Sequence, residues 1–439
     1  MVDVRFNFKD RQPVRPLHGV NLGPMTKVFT YDARPLYLEA GFPYARLHDV
    51  EYPYGSGEFV DIPCIFKDFS ADETDPASYN FGLTDAYIEK CIEVGAEPLF
   101  RLGVSIEHAP VKRYIYPPAD FDKWARICEH IIAHYNEGWA DGYRWNIRYW
   151  EIWNEPESNT MWLGTPEQFY ELYAVTARHL KSRFPDIKVG GSAFTCAHND
   201  FIEGFVKYVT SQSEPIPFDF FSWHLYFVKM STFKKQYALT VDLLKRYGCE
   251  GVENVFDEWN YMRDWKDQAD SYVKLKTHVG GAFCAATLAY MQNDTDIALA
   301  TYYEADVVKE WCGLFCVSEM GIAMQKAKVG ALKPFYPFKY FNEIYKLGEA
   351  VRAESSSENV FATAAVKGSE FAILAANYRN EDTEVTFDLS SFPDAEFEVR
   401  YTDESVTDLK LMTLSAASVK QLTLQMKDDS FVYIGSAKL

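Results

Sequence analysis

The pattern of apolar and polar residues divides the chain into two parts with different periodicities. Between about residues 16 and 330, short apolar runs alternate with longer runs in which apolar residues recur every three or four positions. The short runs predict buried strands, and the longer runs predict amphipathic helices. After about residue 345, apolar and polar residues alternate one by one between turn-like segments, which is typical of antiparallel strands.

Eight strand-like runs occur at regular intervals in the first part. They are LHGVNLG (17–23), YARLHDV (44–50), AEPLFRLGV (96–104), RYWEIWNE (148–155), IKVGGSAF (187–194), FDFFSWHLY (218–226), VENVFDEWN (252–260) and IALATYYEAD (297–306). The helical runs between them are 84–95, 121–135, 165–184, 231–248 and 270–291. Eight strands alternating with helices predict a closed (β/α)8 TIM barrel. A doubly wound open sheet is the alternative, but no G-x-G-x-x-G motif follows the first strand.

The two periodicities also predict two domains. Residues 16–335 are assigned to the barrel, and residues 345–439 to an appended antiparallel β-sandwich. The run VDVRFNF (2–8) precedes the first barrel strand and is predicted to add a strand to the sandwich, so residues 1–15 are assigned to that domain. The fold class is therefore α/β. The segment 50–83 is a long insertion after the second strand, and such loops usually shape a substrate cleft.

Composition and charge narrow the classes of function. The net charge of −19 argues against nucleic acid and anionic membrane surfaces as partners. No apolar run is long enough to cross a membrane, and the first residues do not form a signal peptide. We therefore expect a cytoplasmic protein, or a secreted or periplasmic one if a signal has been removed. The eight scattered cysteines lack metal or redox spacing, so neither cofactor nor metal is expected.

Polar residues gather where the predicted barrel strands end, and these ends form the face that carries active sites. They are Arg46 and His48 on the second strand, Asn154 and Glu155 on the fourth, His224 and Tyr226 on the sixth, Glu258 and Trp259 on the seventh, and Tyr303 on the eighth. Three βα units separate Glu155 from Glu258, so the two carboxylates are predicted to face each other across the mouth. Facing carboxylates are what glycoside hydrolysis requires: one protonates the leaving oxygen, and the other attacks the sugar or activates water.

At these residues the chain resembles a known group of enzymes. WEIWNEPE after the fourth strand and VFDEWN on the seventh resemble the large clan of retaining (β/α)8 glycoside hydrolases. The segments RLHD, GGSAF, SWHLY and YYEAD…GLF give a closer resemblance to glycoside hydrolase family 39, which contains β-xylosidases and α-L-iduronidases. The resemblance covers the barrel, and more weakly the appended sandwich.

The resemblance implies a role for each matching residue. Glu155 is implied as the acid/base and Glu258 as the nucleophile. Asn154 is implied to bond the sugar 2-hydroxyl, while Arg46 and Tyr226 are implied to hold Glu258 ionised and oriented.

Further residues are implied to contact the sugar. His48 and His224 are implied as donors to its hydroxyls, and Trp259 or Tyr303 as stacking rings, with Trp153, Tyr52 and Tyr54 as other candidates. Two departures from the family, Arg101 on the third strand and Tyr303 where a tryptophan is usual, bear on sugar specificity.

Some of these residues could instead have purely structural roles. Arg46 could pair with a structural carboxylate, and His48 and His224 could be ordinary barrel histidines. Glu151 shares the strand face of Glu155 but lies deeper, so we expect a buried structural carboxylate that needs a partner. Asp257 and Asp306 are also expected to be structural.

The expected function is retaining, exo-acting hydrolysis of β-linked oligosaccharides or glycosides, in the manner of a β-xylosidase. A β-galactosidase, β-glucosidase, arabinosidase or endo-acting polysaccharide hydrolase on the same scaffold is the alternative. A carbohydrate-binding protein without catalysis is a third interpretation, although binding alone requires neither glutamate. Homo-oligomerisation is left open.

Overall fold

The computed structural model describes most of the chain. Residues 28–30, 51–58, 108–109, 196–198, 306–310, 312, 318–327 and 437–439 lie outside the described part, and only the backbone is described at residues 26, 27 and 31. The strands are β1 (Val2–Pro13), β2 (Gly19–Asn21), β3 (Thr26–Lys27), β4 (Tyr31–Asp32), β5 (Tyr44–Leu47), β6 (Glu97–Leu102), β7 (Tyr149–Ile152), β8 (Lys188–Phe194), β9 (Phe220–Phe227), β10 (Glu253–Tyr261), β11 (Leu299–Tyr302), β12 (Phe315–Cys316), β13 (Gly330–Ala331), β14 (Glu349–Ser355), β15 (Val360–Lys367), β16 (Glu370–Asn377), β17 (Thr383–Asp388), β18 (Glu396–Thr402), β19 (Leu409–Ser415), β20 (Gln421–Met426) and β21 (Ser430–Gly435).

The helices lie mostly between the barrel strands. They are α1 (Arg34–Ala40), α2 (Ile62–Ile65), α3 (Gly82–Glu93), α4 (Phe121–Asn136), α5 (Pro166–Arg183), α6 (Asp200–Ser211), α7 (Met230–Arg246), α8 (Gln268–Lys274), α9 (His278–Asp294) and α10 (Phe335–Leu347), with 3-10 turns at Pro76–Ser78 and Trp139–Asp141. In the described part of the chain, no helix combines the length and apolar character needed to cross a bilayer.

Eight parallel strands close into a barrel in the order β2, β5, β6, β7, β8, β9, β10 and β11, and β11 pairs back onto β2. Each of the eight predicted strand-like runs coincides with one of them, although β9 and β10 each extend one residue beyond the predicted run. Nearly every residue of these strands is buried, because inward side chains fill the barrel and outward ones meet the helices. The predicted (β/α)8 barrel is therefore confirmed, and the open-sheet alternative is excluded.

The helices α3, α5 and α7 begin or end at residues that are typical of helix caps. Thr165 caps α5: the amide of Gln168 donates to its hydroxyl at 3.3 Å, and the Thr165 amide donates to the Gln168 side chain at 2.9 Å. Pro166 occupies the first helical position, where its missing N–H costs nothing. Gly95 and Gly248 follow α3 and α7 with φ of 78° and 70°, left-handed conformations that glycine adopts readily.

The C-terminal segment forms a nine-stranded sheet in the order β19-β18-β21-β16-β15-β14-β1-β17-β20. Phe387 of β17 and Leu424 of β20 share one apolar core with Ile373 of β16 and Val432 of β21. Because these strands are distant in the sheet order, the sheet must fold back on itself into two layers, as in a sandwich. The predicted antiparallel arrangement holds except at β1, which pairs with β17 in parallel. The domain boundaries remain a prediction.

The other face of the sheet packs on helices of the barrel. Tyr433 of β21 stacks on Tyr340 of α10 with ring centroids 4.9 Å apart, and the hydroxyl of Tyr378 donates to the carbonyl of Val228 at 2.6 Å. Sheet residues such as Phe431 belong to the same buried apolar cluster as the barrel strands. The barrel and the sheet are therefore joined by one continuous apolar core.

This close packing makes a testable prediction at Gly281 of α9. A Cβ at Gly281 would lie 2.5 Å from Cε1 of Phe431, so a Gly281→Ala substitution must push the ring or the helix aside. We expect the free energy of unfolding to fall by about 1–3 kcal/mol, measured by urea denaturation. Gly82→Ala in α3 is the matched control, because nothing lies within 4 Å of that position. Equal stability of the two variants would contradict the tight helix–sheet contact.

Candidate active site

The two predicted catalytic glutamates face each other at the mouth of the barrel. Glu155 follows β7 and Glu258 lies in β10, three strands further around the closed sheet. One carboxyl oxygen of each glutamate lies within 4.8 Å of the other. The side chain of Glu155 is 19% exposed and that of Glu258 is 8% exposed. Both carboxylates therefore meet at one place, with Glu155 nearer to solvent.

A sharp turn after β7 places Glu155 in the mouth. Trp153 and Glu155 have φ of 70° and 43°, a left-handed backbone that residues other than glycine rarely adopt. The amide of Trp153 donates to the carbonyl of Leu102 at 2.8 Å, and that of Glu155 donates to the carbonyl of Ala193 at 3.0 Å. Hydrogen bonds to both neighbouring strands thus hold a strained turn, as is common at functional sites.

The buried guanidinium of Arg46 connects the polar residues of the barrel mouth. Its Nη1 donates to Oε2 of Glu258 at 3.0 Å, its Nη2 to Oδ1 of Asn154 at 2.6 Å, and its Nε to Oε2 of Glu151 at 2.9 Å. Oδ2 of Asp257 lies 3.0 Å from the same Nε. Burial alone would lower the pKa of Arg46, but the three surrounding carboxyl groups outweigh burial and raise it. Arg46 is therefore a permanent positive charge.

Both oxygens of Glu258 are bound. Oε2 accepts from Arg46, and Oε1 accepts from the hydroxyl of Tyr226 at 2.5 Å. Burial raises the pKa of Glu258 above its usual value, although His224 and Arg46 act in the opposite direction. Burial, together with the charge of Glu258, also raises the pKa of Tyr226 well above its usual range, so its hydroxyl keeps its proton. The contacts expected of Arg46 and Tyr226 with Glu258 are thus present.

His224 bridges the two glutamates. Its Nδ1 lies 2.7 Å from Oε1 of Glu155 and 3.7 Å from Oε2 of Glu258, while its Nε2 lies 3.6 Å from Oδ1 of Asp257. Burial opposes protonation of the ring, but Glu258 and Asp257 outweigh it and raise the pKa of His224 well above its usual value. His224 is therefore bound to the carboxylates of the site, and its predicted contact with sugar hydroxyls stays a prediction.

Glu151 and Asp257 lie beneath this layer and are completely buried. The hydroxyl of Ser222 donates to Oε1 of Glu151 at 2.6 Å, and Arg46 binds the other oxygen. Asp257 faces the same guanidinium, with its Oδ2 3.0 Å from Nε of Arg46. The prediction of Glu151 as a buried carboxylate with a structural partner is confirmed.

The remaining predicted residues of the mouth lie at the ends of neighbouring strands. His48 follows β5, with its Nε2 3.3 Å from Oδ1 of Asp49. Tyr303 follows β11; its hydroxyl donates to Oδ2 of Asp49 at 3.2 Å, and its ring centroid lies 6.3 Å from that of Tyr226. Asn154 accepts from Arg46 through its oxygen and keeps its amide nitrogen as a donor. Substrate contacts of these residues stay predictions.

Trp259 does not reach the mouth. Its ring packs on Tyr302, Phe283 and Phe338 with centroids 5.1, 5.8 and 6.1 Å away, in the layer between the barrel and the helices. Side chains alternate along a strand, so an inward Glu258 places the next residue outward. The prediction of Trp259 as a stacking residue is therefore wrong.

Of the three other candidates for stacking, the described structure includes only Trp153. Trp153 is buried, and its Nε1 donates to the carbonyl of Met161 at 3.0 Å. Tyr52 and Tyr54 lie outside the described residues, as does Asp306.

Two tryptophans that the sequence reasoning missed stand beside the nucleophile candidate. The ring centroids of Trp265 and Trp311 lie 5.2 and 5.1 Å from that of Tyr226, and 5.7 Å from each other. Trp265 is 56% exposed, unusual for so large an apolar side chain. Each follows a barrel strand at its C-terminal end, and that position was the available signal. Together with Tyr303 they form an aromatic wall on one side of the mouth.

Arg101, the departure noted on the third strand, is fully buried and paired. Its Nη2 donates to Oδ1 of Asp61, whose other oxygen accepts from the amide of Ser105 at 2.7 Å. Asp61 belongs to the long insertion after β5. This ion pair therefore fixes the described end of the insertion, residues 59–83, beside the barrel mouth.

Glu155, His224 and Glu258 form a cluster whose ligand atoms lie close enough for a metal ion, and no other such group occurs among the described residues. Nδ1 of His224 already hydrogen-bonds to Oε1 of Glu155, and Glu258 already accepts from Arg46 and Tyr226. Such hydrogen bonds are expected of two carboxyl groups that take part in a reaction directly, without a metal ion between them. The absence of a metal or cofactor remains a prediction.

A closed (β/α)8 barrel with two glutamates facing each other across its mouth is typical of the glycoside hydrolases. Residues 39–270 match the model of the family described as glycosyl hydrolases family 39, which is more than half of the chain. The chain belongs to glycosyl hydrolases family 39, and the resemblance noted in the sequence is confirmed.

Individual relatives agree with this assignment. A beta-xylosidase of Geobacillus stearothermophilus is 27% identical over 197 residues, covering 42% of this chain and 36% of the relative, so the match spans little more than a third of that protein. A solved glucosidase from Croceicoccus marinus has a TM-score of 0.76 at 22% identity, covering 100% of this chain and 99% of the other. A monomeric beta-xylosidase from Caulobacter crescentus CB15 has a TM-score of 0.70 at 17% identity, covering 99% of each chain. The two structures show a shared fold.

The central position of Arg46 makes a stability prediction. Arg46→Met keeps most of the side-chain volume but leaves three buried carboxyl groups without their cation. We expect a loss of about 3–5 kcal/mol in the free energy of unfolding at pH 7, because an unpaired buried charge is costly. The matched control is Arg246→Met, whose partners Glu203 and Asp242 are exposed, and there the loss should stay below about 1 kcal/mol. Comparable losses in urea denaturation would contradict the central role of Arg46.

Proposed function

We propose that this protein hydrolyses β-linked glycosides with retention of configuration, with Glu155 as the acid/base and Glu258 as the nucleophile. The observation that carries the proposal is the pair of carboxyl oxygens within 4.8 Å of each other at the barrel mouth. Carboxyl groups about 5–5.5 Å apart leave room for direct attack on the sugar, whereas inverting enzymes need about 6.5–9.5 Å to place a water between them.

The contacts of Glu258 suit a nucleophile. Arg46 and Tyr226 hold both of its oxygens, so the carboxylate is oriented before a sugar arrives. Attack on the anomeric carbon breaks the glycosidic bond and forms a glycosyl ester of Glu258. Glu258 loses its negative charge in that step. Arg46 and Tyr226, which bound the carboxylate, can then donate to the oxygens of the ester.

The contacts of Glu155 suit an acid that becomes a base. His224 engages Oε1 of Glu155, so Oε2 is the oxygen that carries the proton to the leaving group. In the second step the Glu155 carboxylate takes a proton from water, which displaces Glu258 from the sugar. The contact with His224 keeps the Glu155 carboxyl group in position through both steps.

For the sugar we propose a β-xyloside cleaved from the end of a chain. The match to a beta-xylosidase and the family assignment support this choice. The aromatic wall of Trp265, Trp311 and Tyr303 suits stacking against a pyranose ring. A glucoside is the second candidate, because a solved glucosidase shares the fold over the whole chain.

A variant series separates the two glutamates by their roles. On a panel of aryl β- and α-glycosides, we expect selective turnover of one β-glycoside. Glu258→Ala should lose at least about a thousandfold on every leaving group, because no covalent intermediate forms. Glu155→Ala should lose about 10²–10⁴-fold on poor leaving groups but much less on dinitrophenyl glycosides, which leave without protonation.

Glu171→Gln is the control, an exposed glutamate on α5. If both alanine variants keep the activity of this control, the assignment fails. If the unmodified protein turns over nothing on the panel while still binding oligosaccharides, the carbohydrate-binding interpretation replaces catalysis.

The stereochemical outcome is a separate prediction. We expect the anomer released first to have the β configuration of the substrate, because two displacements at the same carbon restore it. Proton NMR during the first minutes of the reaction, before mutarotation, distinguishes the anomers. Initial release of the α anomer would require a single displacement by water and would contradict the role of Glu258.

A further inference from the structure

A cavity of about 260 Å³ lies on the same face of the barrel as the two catalytic candidates. The residues that line it come from the segments that follow β5, β6 and β7 at their C-terminal ends. Neither of the two glutamates lines this cavity, and Arg46 does not line it either. The cavity is therefore a feature that the proposed hydrolysis does not use.

The buried part of the cavity is apolar. Its residues are Ile62 and Phe66 of the long insertion, Val104 after β6 and Trp153 after β7. A sugar has a hydroxyl group on most of its carbons, and each would lose its hydrogen bonds to water against such a surface. This part of the cavity therefore favours a ligand with an apolar ring.

Rings also line the more open part of the cavity. Tyr114 and Tyr116 are each 53% exposed, and Phe69 and Pro117 are half-buried. Aromatic side chains gain most when another flat ring packs against them. The exposed rings thus point to the same kind of ligand as the buried surface does.

Hydrogen bonds hold both sides of the cavity in place. The carboxylate of Glu107 accepts from the amides of Arg113 and Tyr114, at 2.9 and 3.2 Å. On the side of the insertion, the amide of Ile62 donates to the carbonyl of Gly103 at 3.0 Å. A ligand does not have to order these segments first, and avoiding that cost favours binding.

The polar side chains that line the cavity are all hydrogen-bond donors, and none is a carboxylate. Trp124, at the start of α4, is only 3% exposed, and its indole N–H has no acceptor among the described residues. Such a donor binds water until an acceptor on a ligand replaces that water. The cavity therefore calls for a ligand that accepts hydrogen bonds.

Two cations at the cavity also lack a carboxylate partner. Lys67 and Arg113 are exposed, and neither forms an ion pair with any residue that the structure describes. Acidic residues outnumber basic ones by 63 to 44 in the whole chain, so a cavity with two cations and no lining carboxylate is a local exception. Its positive charge attracts anions.

We propose that this cavity is a second binding site and that its ligand is a small aromatic acid with a free carboxylate. The aromatic ring fills the apolar part of the cavity, and the carboxylate pairs with Lys67 and Arg113 at its opening. The volume of about 260 Å³ lies near the lower end of the range for ligand pockets, about 300–1,000 Å³, which suits one ring with a short side chain.

The two cations also distinguish between two forms in which an aromatic acid could reach the cavity. An acid that is esterified to a sugar hydroxyl has no charge on its carboxyl group, so it gains nothing from Lys67 and Arg113. A free acid keeps its charge and pairs with both. The ligand is therefore the free acid.

Isothermal titration calorimetry of the intact protein with cinnamate tests the class of ligand. Methyl cinnamate is the matched neutral probe, because it has the same ring and no charge. We expect cinnamate to bind about tenfold more tightly at low salt, and the difference to shrink in 1 M salt, because exposed charges are screened. Equal affinities of the two probes, or no binding of cinnamate at up to about 10 mM, would overturn the proposal.

A double variant with Lys67→Met and Arg113→Met tests the position of the carboxylate. Both changes remove charge and keep most of the side-chain length. We expect cinnamate to bind about tenfold more weakly and methyl cinnamate to bind as before. Lys235→Met is the matched control, because Lys235 is exposed on α7, has no ion pair among the described residues and does not line the cavity. Equal losses in the control and the double variant would overturn the proposal.

Two further measurements exclude other sites and other ligands. Trp265→Ala should leave the affinity for cinnamate unchanged, and a loss would place the ligand at the barrel mouth and overturn the proposal. Glucuronate carries the same charge on a sugar ring, and tighter binding of glucuronate than of cinnamate would replace the aromatic acid by a sugar acid. None of these measurements requires turnover. Failure of the proposed hydrolysis would therefore leave this site intact, and failure here would leave the roles of Glu155 and Glu258 untouched.

Discussion

The barrel mouth is organised around one buried guanidinium, that of Arg46. A guanidinium with no exposure to solvent is stable only if carboxyl groups and other acceptors surround it in fixed positions. Arg46 therefore requires partners from β7 and β10, and through Asn154 it also fixes the turn that carries Glu155. The geometry of the two glutamates follows from satisfying this one side chain, and the barrel brings the three strands close enough to do so.

A second ion pair extends the same principle toward the rim. Arg101 and Asp61 connect β6 to the long insertion, so a segment rich in loop structure is fixed where it meets the mouth. The site thus combines a rigid polar floor with walls contributed by loops. On the opposite side, Trp265 and Trp311 line the opening with apolar rings. Charged groups around the two glutamates and aromatic groups near the rim are the features that a binding site for sugars requires.

The sequence predicted the barrel and its two glutamates because both depend on local periodicity. Parallel strands of a barrel all end on one face, so a position in a strand sets the height of its side chain. The failure at Trp259 came from ignoring the alternation that the inward Glu258 imposes. The role of His224 could not be predicted, because Glu155 lies 69 positions earlier and no local pattern encodes their hydrogen bond. The same holds for the proximity of Trp265 and Trp311 to Tyr226.

Strand β1 has a consequence for how the chain is made. Its partners are β14 and β17, and Val4 pairs with Ser355 near the other end of the sequence. On the ribosome β1 is made before the barrel strands and its partners after them, so both of its edges stay open while the barrel is being synthesised. An open edge is a template for pairing with other chains. Translation order and assembly order are therefore opposed, and the interval between them is when a nascent chain most needs protection by a chaperone.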